Sequence, residues 1–328
     1  MSRCASGLPA FIALTVACGK PSPGPGGAAG SDPWSKPPAA APAGGGSAGA
    51  CEALPFAEST PVPEASAAAW LTVNGRAVLV VVGDSGNHGA YGLVDAESGA
   101  TLETGQLPLG DAGDDLEGVA TIGDTLYGLT SSGWMRQWRR TPAGGGFELV
   151  GAAYPIGPVD LPDTRNDDRP PRSDGMVCGP RAGNCGRNYE GLCLVPTPVA
   201  PGACQGFAAA KADGHLYCLV ADPSKDHGAL AVDRTRAIAV SKPSALADCA
   251  FAADGSLWAG DNLFGFGRIY RIARWQDPAT AQVESLGVLS VGFPEVIAVR
   301  GDVVYRMSDL GRAPSLMARY RCKFPPKE

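Results

Sequence analysis

One phrase recurs five times between residues 51 and 328, and it constrains the fold more than any other feature of the chain. Each copy has an acidic residue, a short apolar run, a two-residue turn, a second apolar run, and then Asp or Ser with Gly or Asn nearby. The first copy opens at Glu64, turns at Asn74-Gly75 and closes at Gly83-Asp84-Ser85-Gly86. The second opens Asp115-Leu116-Glu117-Gly118, turns at Gly123-Asp124 and closes at Thr130-Ser131-Ser132-Gly133. The third opens Tyr189-Glu190-Gly191-Leu192, is interrupted, then turns at Asp213-Gly214 and closes at Ala221-Asp222. The fourth runs from Asp248 through Asp254-Gly255 to Gly260-Asp261-Asn262, and the fifth from Pro294-Glu295 through Gly301-Asp302 to Ser308-Asp309. Asn-Gly and Asp-Gly suit type I′ turns and Gly-Asp suits type II′, the turns whose twist matches flanking antiparallel strands, so each phrase reads as a hairpin. Further strand-like sequence follows each hairpin, for example Tyr91 to Asp95 and Thr101 to Leu107. Four antiparallel strands recurring at intervals of roughly 50 to 70 residues make the unit of a β-propeller blade.

The fifth unit has room for three strands, the third near Leu316 to Cys322. The missing strand can come from Cys51 to Ser59, which closes the ring by pairing the chain's ends and removes two exposed sheet edges. The expected fold is therefore all-β: a five-bladed β-propeller of four-stranded antiparallel blades, closed by N- and C-terminal strands. Six blades are the alternative, with a degenerate unit inside the long third interval. Closure places Cys51 and Cys322 on neighbouring strands and predicts a disulfide between them. Beyond the leader, eight cysteines remain (Cys51, Cys178, Cys185, Cys193, Cys204, Cys218, Cys249 and Cys322). An even set without paired C-x₂-C spacing, beside only three His, favours four disulfides over zinc. The 45 Gly and 29 Pro leave little room for long helices, while 45% hydrophobic residues suffice for a core. A net charge of −6 with no clustered basic run excludes a nucleic-acid binder.

Residues 1–18 read as an export signal: Arg3, then a mostly apolar stretch from Ala5 to Ala17, too short to span a bilayer as a mature helix. Its end, Leu14-Thr15-Val16-Ala17-Cys18-Gly19, resembles the bacterial lipobox, which implies lipidation at Cys18 and, with Gly19 rather than Asp next, the outer-membrane class. Residues 19–50 are mostly Pro, Gly, Ala and Ser with one aromatic, Trp34, and cannot bury enough apolar surface to offset their ordering entropy. They read as a spacer that lets residues 51–328 stand off a membrane held through the N-terminal lipid.

The phrases also carry a family resemblance. Asp115-Leu116-Glu117-Gly118-Val119-Ala120 with Leu126-Tyr127, and Gly83-Asp84-Ser85-Gly86, resemble the repeats of extracytoplasmic propellers of the SdiA-regulated and esterase-like phytase families. Ala247-Asp248-Cys249-Ala250-Phe251 through Leu257-Trp258-Ala259-Gly260-Asp261-Asn262 is similar to the senescence-marker/gluconolactonase group. That second resemblance implies metal ligation by a Glu opening a strand and by Asn or Asp from other blades, a pattern that Glu117, Glu190, Asp248 and Asp261 match in part.

Hairpin geometry singles out the acids independently, because the start of the first strand lies beside the end of the second. Glu64 with Asp84, Glu190 with Asp222, Asp248 with Asp261, and Glu295 with Asp309 are expected to converge on one channel mouth, with Glu117 opposite Ser131. Carboxylates gathered there repel one another unless protonated or neutralised, and Ca²⁺ accepts six to eight oxygen ligands flexibly. The plainer alternative for each acid is turn chemistry, in which the carboxylate accepts backbone N–H bonds. An insertion at 157–188, with Cys178 and Cys185, precedes Glu190 and is expected on the same face. It reads either as a stapled loop or as a lid whose Arg169, Arg172, Arg181 and Arg187 meet an anionic substrate. His88, in Ser85-Gly86-Asn87-His88-Gly89, is the candidate base at the rim. Two functions fit: a surface module that binds a cation and engages a small anionic or ester ligand or a protein partner, or a metal-dependent hydrolase of an ester, lactone or phosphoester.

Overall fold

A computed structural model describes residues 51–142, 145–158, 178–197, 199–225, 228–263, 265–311 and 314–323. The Cys18 lipobox, the spacer, Arg169 and Arg172 lie outside the described residues. Among those described, no helix forms; the strands β1 to β22 fall into five antiparallel sheets.

The first blade is β3 (Ala65–Val73), β4 (Arg76–Gly83), β5 (Ala90–Asp95) and β6 (Thr101–Gln106). The second is β7 (Leu116–Ile122), β8 (Thr125–Thr130), β9 (Trp134–Arg140) and β10 (Phe147–Leu149), with β11 (Tyr154–Pro155) added on β9. The third is β12 (Tyr189–Leu194), β13 (Gly206–Ala210), β14 (His215–Ala221) and β15 (Leu230–Ala239). The fourth is β16 (Leu246–Phe251), β17 (Leu257–Asp261), β18 (Arg268–Ala273) and β19 (Gln282–Val288). The fifth is β20 (Phe293–Arg300), β21 (Val303–Asp309) and β22 (Ser315–Cys322), completed by β1 (Cys51–Leu54), with β2 (Ser59–Thr60) also on β22. The first strands pack side by side in the cyclic order β3, β7, β12, β16, β20 and back to β3, so the molecule is a closed five-bladed propeller.

Closure follows the sequence expectation: β1 pairs with β22, Cys51 stands opposite Cys322, and the two form a disulfide. The remaining bridges are Cys178–Cys185, Cys193–Cys249 and Cys204–Cys218, of which Cys193–Cys249 ties inner strand β12 to inner strand β16. Asn74 and Gly75 have φ of 51° and 74°, both left-handed as a type I′ turn requires.

Five apolar clusters hold the ring, each between two neighbouring blades. Side chains alternate faces along a strand, so a strand buried on both sides must be apolar throughout. Strand β4 shows it: Val78, Val80 and Val82 join the cluster shared with the second blade, while Leu79 and Val81 join the cluster shared with the fifth. Inner strands approach closely enough to demand glycine. A Cβ at Gly118 would lie 2.4 Å from the Leu192 nitrogen, and one at Gly191 would lie 2.7 Å from Asp248 Oδ1.

One repeat differs from the expected reading. The partner of β12 is β13, hidden in what the sequence presents as an interruption, and the Asp213-Gly214 turn joins β13 to β14. The third blade's first hairpin thus has a long loop, residues 195–205, carrying Cys204.

Candidate functional site

Each inner strand carries one residue too many near its start. Pairing with the next strand skips a residue between Ala65 and Ala67, Leu116 and Gly118, Tyr189 and Gly191, Leu246 and Asp248, and Pro294 and Val296. The five bulged residues are Ser66, Glu117, Glu190, Ala247 and Glu295. A bulge leaves its residue unpaired and re-aims its side chain, and here it does so at the same level of all five blades. A second ring lies at the end of the partner strand at that level: Asp84, Ser131, Lys211, Asn262 and Asp309.

These rings bring acids from separate blades together. One oxygen each from Glu117, Glu190 and Glu295 lie within 4.8 Å of one another, and so do oxygens of Asp84, Asp115 and Glu117. Glu117 belongs to both groups and accepts from Ser66 Oγ at 3.1 Å. Glu190 accepts from Asn188 Nδ2 and from Lys211 Nζ, both at 2.7 Å. Glu295 accepts from Asn262 Nδ2 at 3.3 Å. Asp115 accepts from Ser131 Oγ, which in turn accepts from the Asn184 N–H. Lys211 therefore supplies one positive charge to a belt of carboxylates.

Burial and mutual repulsion act in the same direction on these acids. Burial, then the charges of Glu190, Asp84, Asp115 and Glu295, hold Glu117 well above the ordinary carboxylate range. Burial raises Glu190 to about 7 even though Lys211 opposes it, and it also raises Glu295, Asp84 and Asp115. Burial alone would depress Lys211, but Glu190, Glu295 and Glu117 outweigh it and hold the ammonium charged.

Of the acids expected here, Glu117, Glu190, Glu295 and Asp84 meet, and Asp309 is near enough to raise both Asp84 and Glu295. Glu64 is displaced from the bulge level, which Ser66 occupies. It precedes β3 with φ of 47° and is held by Asn87 Nδ2 at 2.7 Å. Asp222 follows β14 at the other end of its blade, because that strand runs away from Glu190; it is bound into a turn by Ser224. Lys211 stands where Asp222 was expected.

Asp248 and Asp261 are structural. Asp248 is buried and accepts from the Cys249 N–H at 2.7 Å and, across the blade boundary, from the Ile297 N–H at 3.0 Å. Asp261 accepts from the Arg268 N–H and from Tyr270 Oη, each at 2.6 Å. Fully buried Arg306 lies between these blades, where a Cβ at Gly260 would stand 2.4 Å from its Nη1. Burial lowers that guanidinium to about 10 against the pull of Asp248 and Asp261. Asp248→Ala leaves two inner-strand N–H groups without their acceptor and removes a negative charge that offsets the buried Arg306. It is expected to cost about 3 kcal/mol in urea unfolding while leaving cation affinity unchanged; a variant of normal stability with lost affinity would make Asp248 a ligand instead.

The stapled loop reaches the mouth as expected. Gly113 N–H donates to the Pro180 carbonyl at 2.6 Å, and Trp134 Nε1 donates to that of Cys178 at 2.8 Å. Arg181 is exposed there, but Arg187 is buried, paired with Asp213 at 3.2 Å and stacked 3.7 Å from the Tyr217 ring centroid, so it serves the third blade rather than a substrate. His88 projects into solvent, its Nδ1 3.6 Å from Asp114 Oδ2. Sequence reasoning did not single out Asp115, Lys211, Asn188, Asn262 or Ser66. The Asp115-Leu116-Glu117 spacing was a usable signal for the first; Lys211 was lost with the misread hairpin.

No family model matches the chain and no curated protein does, so its likeness to the SdiA-regulated, phytase and gluconolactonase groups is one of repeat phrases. Among solved structures, glutaminyl cyclase of Myxococcus xanthus shares 16% identity, covering 85% of this chain and 98% of that one, with a TM-score of 0.48. A putative 6-phosphogluconolactonase from Bacteroides uniformis shares 15% identity over 75% of this chain and 78% of that one, with a TM-score of 0.42. A second, from Bacteroides fragilis, shares 12% over 76% and 81%, with a TM-score of 0.39.

Proposed function

We propose that this chain is a lipid-anchored extracytoplasmic propeller that binds a divalent cation, Ca²⁺ by size, at the acidic channel mouth, and uses that mouth to engage a ligand. The observation that carries the reading is that one oxygen each of Glu117, Glu190 and Glu295 lie within 4.8 Å of one another. Calcium–oxygen distances of about 2.3–2.6 Å put two ligands of one ion at most about 5 Å apart, so three oxygens at this spacing fit one coordination sphere. Acids from separate blades, raised by burial and repulsion, are the arrangement a hard cation relieves. The tether is carried by the lipobox phrase at Cys18 and the spacer 19–50.

The test is calcium titration of the whole protein, followed by thermal unfolding across pH. Groups whose folded pKa is raised contribute stability that is present below the unfolded carboxylate range and lost as pH climbs through the folded pKa, which for Glu190 is about 7. In chelator, the midpoint is expected to fall between about pH 5 and pH 8. Calcium at a hundred times its dissociation constant should restore about 2.7 kcal/mol, and more at high pH because the ligands must be deprotonated. A midpoint indifferent to calcium at pH 8 rejects the proposal. Calcium-dependent turnover of an ester, lactone or phosphoester panel, lost in Glu190→Gln, would select the metal-dependent hydrolase reading over the binding module.

A further inference from the structure

Past the acidic rings, toward the hairpin turns that end the inner strands, the channel opens into a cavity of about 240 Å³. All five inner strands line it. Ala68, Ala120, Ala250 and Ala298 keep it wide, and Trp70 and Phe251 supply aromatic walls. Those walls are held in place: Trp70 Nε1 donates to the Val299 carbonyl at 3.1 Å, and Thr121 Oγ1 donates to the Trp70 carbonyl at 2.8 Å. Among the described residues, Arg300 is the only charged one in the lining. Its guanidinium lies 5.7 Å from the Trp70 ring centroid, and among the described residues it enters no ion pair.

We infer that this cavity is a second binding site, for a small amphipathic monocarboxylate whose apolar body of about six carbons fills the channel end and whose carboxylate pairs with Arg300. Size and charge both select that class. An apolar cavity of about 150 Å³ accommodates benzene, so the larger space here takes a short acyl chain or a single ring. A guanidinium lying over an aromatic face at the cavity rim offers its planar fork of donors to a carboxylate. Among the described residues, no carboxylate lines the wall to favour an amine. The site is separate from the acidic mouth and does not depend on a cation there.

Isothermal titration of the whole protein with hexanoate, hexanol and hexylamine tests the assignment. Hexanoate is expected to bind one equivalent, hexanol more weakly, and hexylamine not at all, with chelator making no difference. Arg300→Gln, an exposed substitution, should weaken hexanoate about tenfold and leave hexanol unchanged; Ala250→Leu, which fills the cavity, should remove both. Nuclear Overhauser contacts from the hexanoate methyl to the Trp70 indole should appear in the unaltered protein, which keeps the test independent of how Ala250→Leu folds. Absence of hexanoate binding at millimolar concentration, equal binding of hexylamine, an unchanged hexanoate affinity in Arg300→Gln, or no contact with Trp70 would each overturn it.

Discussion

Glu117→Gln is expected to make the cation-free protein more stable while removing its response to calcium. Glu117 is the one carboxylate common to both oxygen clusters, it is only 6% exposed, and Glu190, Asp84, Asp115 and Glu295 all repel its charge. The amide has the same shape and still accepts from Ser66 Oγ, so what changes is the charge. Each pKa unit of unfavourable interaction corresponds to about 1.4 kcal/mol, and removing such interactions should raise the unfolding free energy from urea titration at pH 8 by about 1 to 2 kcal/mol. In calcium the order reverses, because affinity follows the ligand charge count and should fall on the order of 100-fold. The two measurements together discriminate, since a merely structural Glu117 would lower stability in both conditions. A drop in chelator with an unchanged calcium response would rule out the cation reading.

Breaking the Cys51–Cys322 bridge, whose Cys322 sits in the apolar cluster between the fourth and fifth blades, should be among the most damaging changes available. The bridge spans a sequence separation of 271 and joins β1 to β22, the pairing that completes the fifth blade. In the chain-entropy treatment a loop of that size constrains the unfolded ensemble by about 5 kcal/mol, a large share of the roughly 5 to 15 kcal/mol typical of a domain. The double substitution Cys51→Ser with Cys322→Ser is expected to lose most of that in urea unfolding and to expose β1, four residues long, to proteolysis first. A loss below about 1 kcal/mol would mean that the pairing of β1 and β2 with β22 closes the ring unaided.

The blade count, the strand that closes the ring and its disulfide were legible because they rest on local chemistry. The Asn74-Gly75, Gly123-Asp124, Asp254-Gly255 and Gly301-Asp302 turns each join first and second strands of a blade, as their preference for hairpin twist requires. The third blade was misread for the same reason in reverse: Asp213-Gly214 is a hairpin turn, but of the second hairpin, and no short turn marks the first. That single shift replaced Lys211 by Asp222 in the expected site and hid the belt's positive charge. The site also turned on the bulges. Glu64 and Asp248 open their phrases much as Glu117 and Glu190 do, yet the extra residue falls on Ser66 and Ala247, so one acid stands before the strand and the other binds the Ile297 N–H across a blade boundary.

Alternating apolar runs, turn dipeptides and an even cysteine set are properties of neighbours along the chain, and by themselves they determined an all-β ring of repeated four-stranded units with its ends stitched together. Which acids share a pocket was decided only by tertiary structure, because a one-residue bulge reverses where a side chain points. Nothing in the local pattern of a strand records which residue will be left unpaired once the neighbouring blades have packed.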